Sequence, residues 1–374
     1  LEATNCATGE PLAREQVEAQ GQEQVLKAVG GATSAIREKL GESLASVQKY
    51  DAPIEQATTS SLEAMKALAM ADAKRNSGRE VESMPLYERA IELDPNFALA
   101  HARLGVIYGN LGESERELRY KIRAFELRDR VSERERFYIT AHYFTSVTGE
   151  MEKGIQAYEL FKQTYPRDYT PWNNLAVTYG VMGQFEKSLE NGREALRIDP
   201  QEFHAYGQVA FSYLGLNRVE EAKATLKQAL DNHPETGMFH GMVYQIAYAE
   251  GDTAAMKQQA DWMLQKKGFS EAGFTETQAR IAASLGKLEE ANRLYARAFD
   301  MSRRMKFDEA AAQTLAGGAY VEAAFGNRAK ALAMAENALR ISRGRNVTNG
   351  VALALAAAGA DAKAESLISE LVRQ

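Results

Sequence analysis

Cysteine is nearly absent. Cys6 is the only one in 374 residues, which excludes a disulfide framework within the chain and any cysteine-built metal cluster. Proline is scarce at eight, and several of these fall between predicted helices rather than inside them. Basic residues are not in excess: 45 Lys and Arg against 51 Asp and Glu give a net charge of −6. Without a basic field to attract a phosphate backbone, nucleic acid is not an expected partner. No apolar run reaches the roughly 18 residues a membrane-spanning helix needs, and VALALAAAGA at 351–360 is too short and too rich in alanine. No signal-peptide pattern follows Leu1, and the chain reads as a fragment of something longer. Composition leaves localisation open to either side of a membrane.

Catalytic signatures are missing as well. His101, His142, His204, His233 and His240 form no HExxH pair and no other short metal-ligand spacing. No GxSxG elbow is present. The carboxylates mostly alternate with Lys and Arg, as over 113–123, the pattern of a solvated helix face. The expectation is a non-enzyme with no catalytic residue, cofactor or metal.

What the chain does have is regular punctuation. Gly78, Gly112, Gly149, Gly183, Asn217, Gly251, Gly286 and Gly326 follow one another at steps of 34, 37, 34, 34, 34, 35 and 40 residues, and Gly359 comes 33 later. With this residue placed at position 15, units begin at Ala64, Ala98, Glu135, Tyr169, Phe203, Gly237, Ala272 and Ala312, with a shortened ninth at Arg345. Small residues recur at positions 8, 20 and 27, where two helices must approach closely, and larger ones at 4, 7, 11 and 24. Glycine at position 15 suits the left-handed residue that ends a helix. Proline at position 32 ends the second helix. The 37-residue step through 128–136 and the 40-residue step through 302–311 are expected to lengthen a helix or a connection. In the second unit Glu117 and Lys121 replace a small and an aromatic residue, and Asp129 replaces the proline.

A period near 34 carrying Trp172, Leu175, Ala176, Tyr179, Ser188, Ala195 and Pro200 in the fourth unit resembles the tetratricopeptide repeat (TPR). The fifth unit repeats the match with Tyr206, Ala210, Tyr213, Ala222, Ala229 and Pro234. The resemblance implies an all-α fold, a right-handed TPR solenoid of helix-turn-helix repeats, with an array of eight to nine repeats over 61–374. Residues 1–60 do not fit the period. Ala7-Thr8-Gly9-Glu10 marks the turn of a β-hairpin, 21–47 reads as helical with Gly30-Gly31 as a weak point, and 49–60 reads as a linker. This hairpin, helix and linker are expected to be the remnant of an upstream domain.

The succession NCATGEPLAREQVEAQGQEQVL, IREKLGESLASVQKYDAPIEQATTSSLEAMKAL and LYERAIELDPNFALAHARLG resembles the C-terminal region of acidobacterial-type receptor-like Ser/Thr kinases or winged-helix regulators with TPR tails. That resemblance implies a sensory or regulatory tail, with any catalytic domain lying upstream. No glycine-rich nucleotide loop, HRD or DFG occurs in this chain.

In the TPR family the first helix of each unit lines a concave groove through positions 2, 5, 6, 9, 12 and 13. Residue by residue, this carries over to Arg103, Val106 and Asn110, then Tyr143. The fourth unit supplies Asn173, Asn174 and Val177, and the next two His204, Gln208, Phe211, Gln245 and Tyr248. Glu276, Arg280 and Tyr320 complete the set. Amides that can pair with a peptide backbone and rings that can cover its side chains suit an extended peptide. Position 5 holds Leu68, Ala102, Ile139, Asn173, Gly207, Gly241, Glu276 and Ala316. With no lysine among them, the grip on a C-terminal carboxylate used by TPR co-chaperones is not expected. The expected function is a non-catalytic scaffold, monomeric or weakly dimeric, that binds a protein or peptide in its groove.

Overall fold

The computed structural model describes residues 1–5, 8–21, 24–41, 58–266 and 269–373. Cys6, Ala7 and nearly all of the expected linker therefore lie outside the described residues. β1 (Glu2–Thr4) and β2 (Pro11–Arg14) pair antiparallel, with Ala3 opposite Ala13 and an irregularity between Ala3 and Thr4. Gly9 takes the positive φ of +74° that the turn needs, and its N–H donates to the Asn5 carbonyl at 2.8 Å. α1 (Val25–Lys39) runs unbroken through Gly30-Gly31. Lys39 ties α1 to the hairpin, pairing with Glu15 at 2.6 Å and donating to the Arg14 carbonyl at 3.2 Å.

Among the described residues eighteen further α-helices form nine consecutive pairs. They are α2 (Leu62–Asn76) and α3 (Glu80–Leu93); α4 (Ala98–Asn110) and α5 (Ser114–Glu126); α6 (Glu133–His142) and α7 (Met151–Thr164); α8 (Tyr169–Val181) and α9 (Phe185–Ile198); α10 (Phe203–Gly215) and α11 (Val219–Asn232). The series continues with α12 (Gly237–Glu250) and α13 (Thr253–Leu264); α14 (Phe269–Ser284) and α15 (Leu288–Arg304); α16 (Asp308–Ala324) and α17 (Arg328–Ile341); α18 (Arg345–Ala357) and α19 (Asp361–Arg373). Each pair turns through the expected position-15 residue, and all nine have φ between +57° and +82°. The bonding is that of a left-handed C-cap: the Asn217 N–H donates to Leu214 O and the Arg218 N–H to Tyr213 O, at 3.0 and 2.8 Å.

Both long steps lengthen elements. After α5 the chain makes a 3₁₀ turn over Arg128–Arg130, and Ser132 and Glu135 then cap α6 reciprocally. α6 continues directly into a π-helical segment, Tyr143–Thr148, before Gly149. The 40-residue step appears as two 17-residue helices, α15 and α16, against 14 and 13 residues in α9 and α10.

The chain divides into two compact units. One holds 1–104 and 120–166; the other holds 105–119 and 167–374. The first is packed with Tyr87, Phe97, Tyr138, Ile139, Tyr158 and Phe161, all buried. In the second, Ala195, Ala210, Ala222, Ala229, Ala312, Ala319 and Ala338 are fully buried at helix crossings, and Tyr206, Leu226, Phe239 and Val351 fill the spaces between them. Position 4 adds a recurring bond: His101 Nε2, Tyr206 Oη and His240 Nε2 each donate to a proline carbonyl six residues earlier, at 3.1, 3.2 and 3.1 Å. These three side chains hold the inter-repeat turn, which accounts for two of the five histidines. Among the described residues no three or more His, Cys, Asp or Glu side chains gather as a metal site.

Candidate functional site

First helices of neighbouring pairs pack on one another in the second unit: α8 on α10, α12 on α14, α14 on α16 and α16 on α18. Their common face is where unpaired apolar side chains collect. Val177 is 41% exposed, Phe211 47%, Tyr320 49% and Leu353 56%, and each stands at position 9 of its repeat. Phe211 is braced edge-on by Phe185, 5.8 Å between ring centres.

Across α14, α16 and α18 this face sinks into a pocket of about 490 Å³. Its floor exists because side chains are missing. A Cβ on Gly317 would stand 3.3 Å from the Tyr295 ring, and one on Gly350 would stand 3.3 Å from the Ala316 methyl. Tyr320, Phe325 and Leu353 line the pocket and keep two-fifths or more of their surface exposed. The polar lining is sparse and engaged internally. Glu276 Oε2 accepts from Thr314 Oγ1 at 3.2 Å, Arg280 donates to Thr277 Oγ1 at 3.2 Å, and the Ser284 hydroxyl meets Tyr248 Oη at 2.7 Å. Burial, reinforced by Glu276 and opposed by Arg280, pushes the Tyr295 phenol up to about 12, so it stays neutral. A second depression of about 400 Å³, between α11, α12 and the start of α13, is crossed by the Lys223–Glu250 ion pair at 3.0 Å. Of these two, the α14–α16–α18 pocket is the one suited to receive apolar groups.

Family models for the tetratricopeptide repeat match residues 86–119, 169–202 and 203–236. The chain carries tetratricopeptide repeats. Among solved structures it is similar to a human IFIT1 dimer with m7Gppp-AAAA, at 15% identity and a TM-score of 0.52, over 86% of this chain and 83% of that one. It is similar also to the APC/C hetero-tetramer Cut9–Hcn1, at 14% identity and 0.51, over 90% of this chain and 64% of that one. A tetratricopeptide repeat protein from Parabacteroides merdae aligns over 64% of this chain and 94% of that one, at 13% identity and 0.43. At such identities the likeness to the first two is one of fold alone. TPR proteins are in general non-catalytic scaffolds for protein–protein contacts.

The TPR face sorts the residues expected to line a groove into three kinds. Arg280, Glu276 and Tyr320 come together at the pocket, with Tyr248 bonded to its Ser284. Val177, Phe211, Gln245 and Asn110 are exposed. The others serve the fold. Gln208 Nε2 donates to the Ala176 carbonyl at 3.2 Å and to Ser188 Oγ at 2.9 Å, stapling α10 to α8 and α9. Asn174 turns back on its own helix to the Thr170 carbonyl at 2.9 Å, and the Asn173 side-chain oxygen is buried. His204 lies 2.6 Å from Glu202, its ring tilted against that of Phe203. In the first unit Tyr143 stacks on Phe125 at 3.7 Å, while Arg103 lies over the Tyr138 ring and 3.8 Å from Asp72.

The pocket itself has a signal in the sequence that the position rule alone passes over. Gly317 and Gly350 both stand at position 6, each followed three residues later by a large side chain at position 9, Tyr320 and Leu353. Two adjacent repeats with this pairing leave a hole rimmed by apolar groups. Glu117 had a similar signal: Gly109 faces its carboxylate, and a Cβ there would stand 2.7 Å from Oε1. Lys121, also buried, donates to Ser146 Oγ at 2.8 Å.

Proposed function

We propose that this chain is a non-catalytic interaction scaffold that binds an extended segment of a partner protein along the first-helix face of its second unit. Apolar side chains of that segment anchor in the α14–α16–α18 pocket. The observation that carries this reading is a roomy apolar pocket whose lining Tyr320, Phe325 and Leu353 are left exposed on the same face as Val177 and Phe211. Desolvated apolar anchors supply most of the energy of such contacts. Gln245, Tyr248 and Arg280 supply polar contacts beside the anchors. Asn173, Asn174, Gln208 and His204 position the helices that present the face. The net charge of −6 favours a protein ligand over a phosphate-rich one such as the m7Gppp-AAAA of the IFIT1 structure.

A random-peptide display library panned on the full chain tests this. Enriched peptides should share an aromatic or large aliphatic residue and bind Tyr320→Ala/Leu353→Ala at least about tenfold more weakly, the loss of one or two anchor contacts. Because both side chains are exposed, thermal melting should barely change. No enrichment, or enriched peptides indifferent to this double variant, would overturn the reading.

A further inference from the structure

Two helix N-termini of the second unit exchange caps. Glu309, in the first turn of α16, accepts from the Glu115 backbone N–H of α5 at 3.1 Å and from the Ser114 hydroxyl. Glu113, just before α5, accepts in return from the Ala310 N–H of α16 at 3.1 Å. Gln313 seals the joint, donating to the Gly112 carbonyl at 2.5 Å. From the turn before α18, the Ser342 hydroxyl donates to Glu115 at 3.2 Å, and Arg345 stands 3.8 Å from Glu117. Gly344 leaves the room that Glu309 occupies, since a Cβ there would collide with its carboxylate. Glu113 and Glu309 are each only 3% exposed. The partners are about 195 residues apart in the chain, outside the neighbour-to-neighbour contacts that build a repeat array.

We propose that this exchange is a clasp tightened by protons: the Gly112–Glu117 turn is held on the N-termini of α16 and α18 when Glu113 and Glu309 are protonated, and loosens as they ionise. A neutral carboxyl keeps a carbonyl oxygen to accept the facing N–H, so the geometry survives protonation. Ionisation instead puts two buried negative charges within electrostatic reach of one another. Burial pushes the Glu113 carboxyl up, with Asp308 adding, against the Ala310 and Glu309 N–H groups and Arg116 at 3.7 Å. Burial likewise pushes Glu309 up, with Glu113 and Glu115 adding, against Ser114 and the Glu115 N–H. The remaining charges are engaged elsewhere: Asp308 pairs with Arg303 at 2.5 Å and Arg343 with Glu370 at 2.7 Å. A carboxyl whose pKa is higher when the clasp is closed stabilises closure at low pH, and that contribution is lost as pH rises through the raised value.

The test is a distance measurement between spin labels on Arg119→Cys and Asn346→Cys in the full chain, with Cys6→Ser removing the native thiol. At pH 5 one narrow distribution is expected. At pH 8 a longer component should at least double its share. Glu113→Gln/Glu309→Gln, which keeps acceptors without charge, should stay narrow at both pH values. Glu113→Ala/Glu309→Ala should show the longer component at both. Identical distributions for the unsubstituted pair at pH 5 and 8, pH dependence persisting in the Gln variant, or a narrow distribution in the Ala variant would each overturn the proposal.

Discussion

The pairs α6–α7 and α10–α11 follow the same repeat frame and fill it in opposite ways. In α10–α11 the three close-approach positions are Ala210, Ala222 and Ala229, all fully buried, and Tyr206, Tyr213 and Leu226 supply bulk between them. In α6–α7 the same positions hold His142, Gly154 and Phe161. Only Gly154 allows close approach there: a Cβ would collide with the Thr145 methyl. Away from that point the pair is filled with rings. Phe161 stacks on Phe137 at 5.8 Å, and His142 lies between Tyr138 at 4.4 Å and Tyr158 at 5.9 Å. The first helix widens into its π-helical segment just after His142, a rare turn within an α-helix. The repeat thus fixes where helices end and leaves open whether small or large residues set their separation, provided each choice is matched across the pair.

Exchanging the two solutions should damage both pairs. Phe161→Ala removes the ring that separates α6 from α7 and is expected to cost about 3–5 kcal/mol. Ala229→Trp forces a ring into a closed crossing and is expected to cost about 1–3 kcal/mol or more. Both are read as shifts in denaturant midpoint, with hydrogen exchange locating the loosened pair. Equal stability of either variant with the unsubstituted chain would mean that the positions are not equivalent and the register is wrong.

The contrast also shows what a sequence discloses. All nine turn residues are readable because a left-handed backbone is a local demand that glycine, or here once asparagine, meets by its own chemistry. The alanines of α10–α11 are readable for a similar reason, each answering to a residue a fixed number of positions away. The face residues are less so. Gln208 and Asn174 carry amides that can serve a ligand or the protein's own carbonyls, and only the packing of α8 against α10 decides for the latter. The Glu113–Glu309 exchange has no local pattern at all, since its partners stand up to 197 residues apart in the chain.

Histidine sharpens the difference between the pairs at a smaller scale. Burial holds His142 well below the usual imidazole range, and Lys121, Arg103 and Arg75 push the same way. The folded chain therefore keeps it neutral, while the unfolded chain protonates it near pH 6.5. Its contribution to stability is present above that pH and is lost as pH falls, at up to about 1.4 kcal/mol per pH unit. Unfolding free energy followed from pH 7 to 5 should fall more steeply for the unsubstituted chain than for His142→Phe. Parallel profiles would show that His142 accepts its proton in the folded state. Ala210, its counterpart in α10, carries no such dependence.

The smallest effect tests what the two pairs have in common. Gly149 and Asn217 end the first helices of α6–α7 and α10–α11 at φ of +71° and +57°. Nothing stands within 4 Å of a Cβ built on Gly149, so Gly149→Ala meets no neighbour, and its cost is that of a left-handed L-residue, about 1 kcal/mol. Asn217→Ala should cost a similar amount or less, because asparagine already bears part of the penalty while relieving it through its short polar side chain. Asn217→Gly should change stability by less than half as much, the easier backbone offset by the greater freedom of glycine in the unfolded chain. Similar costs for Gly149→Ala and Asn217→Ala, measured by denaturant midpoint, would establish that the turn is indifferent to how the core beside it is filled. A Gly149→Ala cost several times that of Asn217→Ala would instead tie the turn to the π-helical segment that leads into it.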